Sequence, residues 1–283
     1  MNRLLLSLAT MALCLHAAGS ETALREALTF HAGFEGSTEA GFGEGDRRIH
    51  TAPGYKALSE ARPGLDHSDV ALAPGAGRFG DALQFRRKNT KAVYFRAARN
   101  VSYEPGKFSG TVSFWLSLDP ETDLEPGYCD PIQVTDKDYN DAALWVDFTK
   151  DKKPRHFRLG FFGDLAVWNP QKLNPDKNPA FLDRLVVVQK PPFARERWTH
   201  VVVTYSGVGS GNGQAKLYLD GKLQGATPAI SEPFTWDPAR AQIRLGVNYV
   251  GLLDEVAVFR RALTDAEVAA LYKLKGGVRT LYR

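Results

Sequence analysis

Cysteine is scarce in this chain: only Cys14 and Cys129 occur among its 283 residues. Cys14 falls within an apolar run at positions 4–15, which follows a basic residue and precedes the small residues 17–20. This is the pattern of a secretory signal, so we expect residues 1–20 to be removed on export. Cys129 would then be the one remaining thiol. That count excludes an internal disulfide, so core burial or a metal must stabilise the exported fold.

Long hydrophobic runs are also lacking beyond this segment. The first run is too short to span a bilayer, and no later segment reaches that length, so no membrane span is expected. A lipoprotein anchor at Cys14 would need a small residue where Leu13 stands, which favours ordinary signal cleavage. The protein is therefore expected to be secreted, periplasmic or at the cell surface.

Charge of one sign does not dominate. The net charge is +4, and residues 1–20 contain one Arg and no acid, so the exported chain carries +3. The basic clusters are scattered along the chain, which is typical of a solvated surface, with an anionic glycan as the functional alternative. Nucleic acid is not expected as a partner of an exported protein.

The motifs of several common catalytic machineries are absent. The chain has no G-x-S-x-G elbow, no H-E-x-x-H zinc helix and no P-loop. Its glycine-rich piece "GVGSGNG" lacks the strand-to-helix context of a dinucleotide loop. These absences favour a binding role over catalysis.

Short alternating runs, separated by Gly, Pro, Asp and Asn, recur along the rest of the chain. About 260 residues suffice for one large domain, and this spacing predicts an all-β sandwich or jelly roll. The predicted strands are 27–34, 82–85, 92–95, 110–118, 142–148, 157–162, 185–188, 198–205, 215–219, 243–247 and 253–259.

Two local signals are stronger than the rest. Asp220-Gly221 lies between two such runs and predicts a tight hairpin, because both residues tolerate positive φ. Helical periodicity is strong only near the end of the chain. There, Thr264 and Glu267 have the spacing of a capping box, and Leu263 and Val268 that of a hydrophobic staple.

Four segments together resemble a known family: "GTVSFWLSL", "RWTHVVVTYSG", "AKLYLDGKLQG" and "GLLDEVAVFRRALTDAEVAALY". Their order and spacing are similar to those of the laminin-G-like, concanavalin A-like jelly-roll domains of bacterial exported proteins. The resemblance covers most of residues 27–274. It implies two antiparallel sheets with a short C-terminal helix, a face often used for glycans, and calcium in many relatives. We therefore assign the domain to 21–274 and a tail to 275–283.

The same resemblance suggests a calcium site. On a regular strand Asp254, Val256 and Val258 share one face, so Asp254 is a carboxylate beside apolar neighbours that needs a partner. In laminarinase-like relatives an early acid, a glycine carbonyl and an Asp of the last strand hold the ion. Glu35, Gly80 and Asp254 are the matching positions. The alternative is that Asp254 caps a turn or pairs with an Arg.

One stretch formally matches a catalytic pattern. Glu121, Asp123 and Glu125 have the acid spacing of retaining laminarinase-type glycosidases. Pro120 and Pro126 bracket them, and the apolar residues of a strand are missing, so a solvated loop is favoured and no catalytic residue is assigned. A polysaccharide lyase pairing of His156 with Tyr139 or Tyr94 stays open as a lesser alternative.

Glycan binding needs exposed aromatic rings beside amides, acids or arginine. The segments around positions 139–147 and 156–169 offer such a set, with Trp168 expected to be the most exposed. The candidate ligand-binding residues are Tyr139, Asn140, Asp141, Trp145, His156, Arg158, Trp168 and Asn169, and Asp147 lies among them. The sequence thus predicts a secreted, non-catalytic, calcium-stabilised module for a glycan or an extracellular matrix-like partner. The alternative is a glycoside hydrolase or polysaccharide lyase on the same fold.

Overall fold

The computed structural model describes residues 19–150 and 152–283. Residues 1–18, which hold nearly all of the predicted signal, lie outside the described residues. A helix, α1, runs through residues 19–27. No helix in the described part of the chain has both the length and the apolar character needed to cross a membrane.

Two antiparallel sheets with few short helices form the described chain, which confirms the all-β prediction. The strands are β1 (Leu28–Ala32), β2 (Phe42–Gly43), β3 (His50–Ala52), β4 (Arg62–Pro63), β5 (Val70–Gly77), β6 (Gly80–Phe85), β7 (Ala92–Arg96), β8 (Phe108–Ser117), β9 (Cys129–Thr135), β10 (Ala143–Phe148), β11 (Phe157–Phe162), β12 (Leu185–Val188), β13 (Thr199–Val208), β14 (Gln214–Leu219), β15 (Lys222–Ala226), β16 (Gln242–Val247) and β17 (Gly251–Phe259).

Each sheet joins strands that are distant in sequence. Sheet A has the order β15-β14-β13-β8-β17-β1-β2, with β6 beside β17 and β5 beside β6. Sheet B has the order β12-β11-β10-β9-β16-β7-β3-β4. Strand alternation did not predict β2, β3, β4, β5 or β9, and β9 lies near the centre of sheet B.

The main core lies between the sheets. Along β13, Val201 and Val203 point into this core, whereas Val202 belongs to a second apolar cluster on the outer face of sheet A. Helix α1 and the end of the chain cover that outer face. Residues 275–283, assigned from sequence to a tail, take part in this covering, because Val278 and Leu281 are buried in the second cluster.

The remaining helices are short. They are α2 (Leu165–Trp168), α3 (Pro179–Leu182) and α4 (Asp265–Tyr272), with 3-10 turns at Leu58–Glu60, Pro175–Lys177 and Val278–Leu281. Helix α4 is the predicted closing helix and begins at the predicted capping box. The predicted hairpin is also confirmed, because Asp220 and Gly221 have φ values of 49° and 75° between β14 and β15.

Strand β17 departs from the regular alternation expected for it. A register shift lies between Asp254 and Ala257, and Glu255 has a φ of 54°. This is a β-bulge, in which one strand has an extra residue. The side chains after the bulge therefore point to the opposite face from the one that regular alternation predicts. The expectation that Asp254, Val256 and Val258 share one face is therefore wrong: the two valines point into the main core, as Leu253 does.

The capping box gives a direct test of how α4 is held. Thr264 Oγ1 accepts a hydrogen bond from the Glu267 N–H at 3.3 Å, and Glu267 Oε2 accepts one from the Thr264 N–H at 2.8 Å. Replacing Thr264 with Ala should lower the free energy of unfolding by about 1 kcal/mol, whereas Thr264→Ser should retain most of it. Urea unfolding of both variants checks this, and equal stability of Thr264→Ala and the parent would contradict it.

Candidate functional site

Among the described residues, two apolar clusters cover the ends of the outer face of sheet B. Helices α2 and α3 pack on one end through Trp168 and Phe181, and residues around Leu58 pack on the other. The strip between them, from Trp145 on β10 to Tyr94 on β7, is called the open face here. It carries polar and aromatic side chains.

Strand alternation places these side chains. On β10, Val146 and Phe148 enter the core, so Trp145 and Asp147 point the other way. The register then sets which side chains lie side by side: Asp147 lies opposite Arg158 on β11, and Gln133 on β9 lies between Trp145 and Arg244.

A glycine makes room for the largest of these side chains. Gly160 lies opposite Trp145, and a Cβ at that position would come 2.2 Å from indole Cζ2. The absent side chain therefore lets the indole lie across β11. The indole N–H donates to the Tyr139 carbonyl at 2.6 Å, which fixes the ring and the following loop together.

The strongest polar contact on the open face is an ion pair. Arg158 Nε and Nη2 donate to the two carboxylate oxygens of Asp147 at 2.8 and 2.5 Å. Both side chains are at most 10% exposed. The Arg158 guanidinium also lies over the rings of Tyr128, at 4.9 Å, and Trp145, at 5.6 Å. Such bidentate geometry orients both groups firmly.

A second network continues from this pair along β9 and β16. Asp130 Oδ2 accepts a bond from Gln133 Nε2 at 2.9 Å, and Gln133 Oε1 accepts one from Arg244 Nη1 at 2.6 Å. Asp130 reaches this face because the pairing of β9 with β10 shifts register around Pro131. A bulge of this kind re-aims a side chain.

The two aspartates have different electrostatic surroundings. Burial, and then the negative charge of Asp147, raise the pKa of Asp130 well above its usual value. Burial also raises the pKa of Asp147, but the bonds from Arg158 oppose that effect. The open face therefore combines a carboxyl that favours its proton with one that is held by a cation.

These groups line a cavity of about 280 Å³, the central cavity. Tyr128 forms part of its wall and donates to Asp176 Oδ1 at 3.0 Å. Tyr55 lies against the Arg244 guanidinium, 4.5 Å from the ring centroid. The residues that line the cavity are Tyr55, Tyr128, Asp130, Gln133, Asp138, Tyr139, Trp145, Asp147, Pro175, Asp176, Phe181, Arg158, Arg244, Val247 and Asn248.

Three of the eight candidate ligand-binding residues line this cavity: Tyr139, Trp145 and Arg158. The others contact protein groups nearby. Asp141 Oδ1 accepts the Leu165 N–H at 3.0 Å, and Asn169 bonds the Leu173 backbone through both side-chain atoms.

Asn140 and His156 likewise lie outside the cavity lining. Asn140 is buried and its carbonyl accepts a bond from the Trp168 indole. His156 is half-buried, and its backbone N–H donates to Thr149 Oγ1 at 3.0 Å.

The expected exposure of Trp168 is wrong. Trp168 is only 7% exposed, and its indole packs on Phe162 and Phe181, with ring centroids 5.2 and 6.2 Å away. Its N–H donates to the Asn140 carbonyl at 2.9 Å. The short helix α2 turns the indole inward, and helices this short are not visible as periodicity in a sequence.

The alternative catalytic acids lie in the turns between β8 and β9. Glu121 Oε1 accepts the Arg155 N–H at 2.6 Å, Glu125 Oε1 accepts the Lys88 N–H at 2.8 Å, and Asp123 bonds Arg195. Glu121 and Glu125 are exposed, as expected for a loop. None of the three lines the central cavity.

The candidate calcium residues meet at the turn between β5 and β6. Asp254 Oδ2 accepts the N–H groups of Arg78 and Phe79 at 2.7 and 3.2 Å, and Gly80 follows directly. A Cβ at Gly80 would lie 2.3 Å from Glu35 Oε2. The described residues contain no cluster of three or more His, Cys, Asp or Glu suited to a metal, so a cation here would rely on two carboxylates and backbone oxygen.

Several cavity residues were not predicted from the sequence: Tyr55, Tyr128, Asp130, Gln133, Asp176 and Arg244. Pro131 inside "CDPIQV" was the available signal for the bulge at Asp130. Gln133 and Arg244 alternate with apolar neighbours in "IQV" and "IRL", which is typical of strands with one polar face.

Comparison with known proteins agrees with this architecture. A laminin G family model, described as the concanavalin A-like lectin/glucanases superfamily, matches residues 89–269. Comparison with curated proteins gives no match.

Among solved structures, domain 4 of the extracellular arabinanase AbnA from Geobacillus stearothermophilus, solved in complex with arabinotriose, is similar at 17% identity and a TM-score of 0.51. The match covers 86% of this chain and 97% of that one. The binding domain of botulinum neurotoxin serotype D is similar at 9% identity and a TM-score of 0.57, over 89% and 52% of the two chains. A sialidase from Trypanosoma rangeli is similar at 12% identity and a TM-score of 0.53, over 89% and 34%. The chain thus spans about half and about a third of the last two. These identities establish the fold alone.

Substitution by Asn should lower the free energy of unfolding by different amounts at Asp147 and at Asp130. Asp147→Asn leaves the Arg158 guanidinium largely buried without its counter-charge, so the free energy of unfolding should fall by about 3 kcal/mol. Asp130→Asn replaces a carboxyl that favours its neutral form with a neutral amide, so the loss should stay below about 1 kcal/mol. Urea unfolding at neutral pH measures both, and equal losses would contradict the assignment.

The pH dependence of stability provides a second readout of Asp130. Since its pKa is raised in the folded protein, the folded state keeps a proton that the unfolded chain releases near pH 4. Raising the pH through this range therefore favours unfolding, and Asp130→Asn should reduce that loss. A pH series of unfolding curves for parent and variant checks the sign.

Proposed function

We propose a function for this chain from one premise: it belongs to the concanavalin A-like lectin/glucanases superfamily. The proposal is that the protein is exported and binds a carbohydrate at the central cavity without transforming it. The observation that carries this proposal is the row of oriented polar groups, Asp147, Arg158, Gln133 and Arg244, bounded by tyrosine rings. Sugars present hydroxyls and apolar C–H faces, and this wall offers a partner for each.

Tyr128 supplies one of the partly exposed rings of this site. It is half-buried, its hydroxyl is bonded to Asp176, and Arg158 Cζ and Lys150 Nζ each lie 4.9 Å from its ring centroid. Tyr139 and Trp145 contribute further apolar surface, with Trp145 deeper in the wall. In this arrangement, a sugar ring of the ligand lies beside Tyr128, and its hydroxyls reach the charged groups of the central cavity.

A glycan panel with substitutions at Tyr128 tests this. Arabino-oligosaccharides are one part of the panel, because the similar arabinanase domain was solved with arabinotriose. Tyr128→Ala should weaken binding about fivefold to tenfold, the effect of losing one aromatic contact, while Tyr128→Phe should keep most of the affinity. Calorimetry measures both. Unchanged affinity in Tyr128→Ala would contradict the site, and absence of binding to every glycan would favour a protein partner of the extracellular matrix type.

A second candidate function is a glycan-active enzyme, favoured by the presence of Asp130 and Asp147 in the lining of the same cavity. A carboxyl whose pKa is raised well above its usual value, near a carboxyl that is held by an arginine, suits general acid and base catalysis. Reducing ends or unsaturated ends released from the same panel would establish this function. Their loss in Asp130→Asn, with binding retained, would assign Asp130 as the acid.

We also propose that calcium binds at Glu35, Gly80 and Asp254. Two observations support it. Glu35 Oε1 is buried and accepts no hydrogen bond from any described residue, although Arg279 Nη1 lies 3.5 Å away. Asp254 is fully buried, and burial together with the charge of Glu255 raises its pKa to about 8, so a cation would favour its ionised form. Calcium there would tie the segment after β1 to β17.

Calcium binding only to the folded protein should raise its stability by about 2.7 kcal/mol at a hundred times the dissociation constant. Asp254→Asn and Glu35→Gln should lose this increment, while Asp66→Asn, a change at an exposed acid, should keep it. Melting curves with calcium and with chelator measure the effect. Curves that coincide in the parent protein would contradict the proposal.

A further inference from the structure

A second cavity adjoins the central cavity on the open face. It has a volume of about 350 Å³ and is called the basic cavity, lined by Lys56, Tyr94, Arg96, Arg240 and Gln242 among others. Tyr55 lines both cavities and so forms the wall between them. The two cavities are therefore neighbouring compartments along one surface.

The strand register fixes how the compartments are related. Arg244 of the central cavity lies opposite Tyr94, and Gln242 of the basic cavity lies opposite Arg96. Gln242 and Arg244 are two residues apart on β16, which corresponds to about 7 Å along the strand. They are also joined directly, because Arg244 Nε donates to Gln242 Oε1 at 3.1 Å.

The charges of the two compartments are opposite. Four aspartates and two arginines line the central cavity. Three cations, Lys56, Arg96 and Arg240, line the basic cavity, and no aspartate or glutamate is among the described residues that line it. All three are exposed, so their charged groups are accessible to a ligand.

Two acids that interact with these cations, Asp46 and Asp136, do little to neutralise them. Asp46 lies 3.8 Å from Arg96 Nε, but both of its oxygens bond Arg48 at 2.9 Å. Asp136 interacts electrostatically with Arg240, but it is buried, and one of its oxygens accepts the Asp237 N–H. The positive charge of the basic cavity therefore remains available.

We propose that the ligand is a glycan of at least two sugars that carries an anionic group, a carboxylate or a sulfate ester. The anionic group binds in the basic cavity while an adjacent sugar occupies the central cavity. This inference rests on the proposed glycan-binding function and adds the chemical class of the ligand. Arg96 and Arg240 suit such a group, because a guanidinium donates in a fork that matches carboxylate or sulfate oxygens.

Paired probes test the charge directly. Tetragalacturonate is compared with its methyl ester, and a sulfated galactan tetrasaccharide with its desulfated form, by calorimetry at low and high salt. At least one charged probe should bind about tenfold more tightly than its neutral partner, and salt should reduce the difference. The pair that shows it identifies carboxylate or sulfate as the group recognised.

Two double variants assign the preference to the basic cavity. Arg96→Gln with Arg240→Gln should abolish the charge preference, so that the charged and neutral partners of each pair bind equally. Arg86→Gln with Arg87→Gln is the control: it also removes two positive charges, but from residues that follow β6 and do not line the basic cavity. This variant should keep the charge preference. Tyr128→Ala should weaken charged and neutral probes alike.

The outcomes separate the two proposals. Equal binding of charged and neutral probes overturns the anionic ligand while glycan binding stands. A preference that survives in the Arg96 and Arg240 variant, with melting curves unchanged, overturns the assignment of the basic cavity. Absence of binding by any probe or by any member of the glycan panel counts against both.

Discussion

The buried ion pair between Asp147 and Arg158 is the constraint on which the open face depends. Taking two charges out of water costs more than their attraction returns unless the geometry is close to ideal. Here two short bonds and two aromatic rings surround the guanidinium, so the pair is held in one orientation. An apolar pair would fill the same place on sheet B at lower cost, which is why we ascribe a function to the polar one.

The two outer faces of the sandwich are used differently. On sheet A, α1, α4 and the end of the chain bury an apolar cluster, and residues 275–283 belong to that packing. On sheet B, apolar clusters of the described residues cover the two ends, and the polar strip between them lines the central cavity. The protein thus stabilises itself on one side and presents oriented groups on the other.

The features that could be predicted from the sequence are those that depend on residues close together in the chain. The hairpin at Asp220, the helix cap at Thr264 and most strands follow from turn chemistry and alternation, and the family resemblance is confirmed. The site was predicted only in part, because Asp130 and Arg244 come together through pairing between distant strands. At two β-bulges, near Pro131 and Glu255, side chains also point to faces that the regular alternation of a strand does not predict.

The most direct measurement is a crystal structure with the tightest-binding oligosaccharide of the panel. The account predicts one sugar ring beside Tyr128, with hydroxyls within hydrogen-bond distance of Asp147 or Arg158, and the next unit across Tyr55 toward Arg96. A sugar bound instead at the loops of the sandwich, or on the face covered by α4, would contradict the central claim that the open face of sheet B is the binding site.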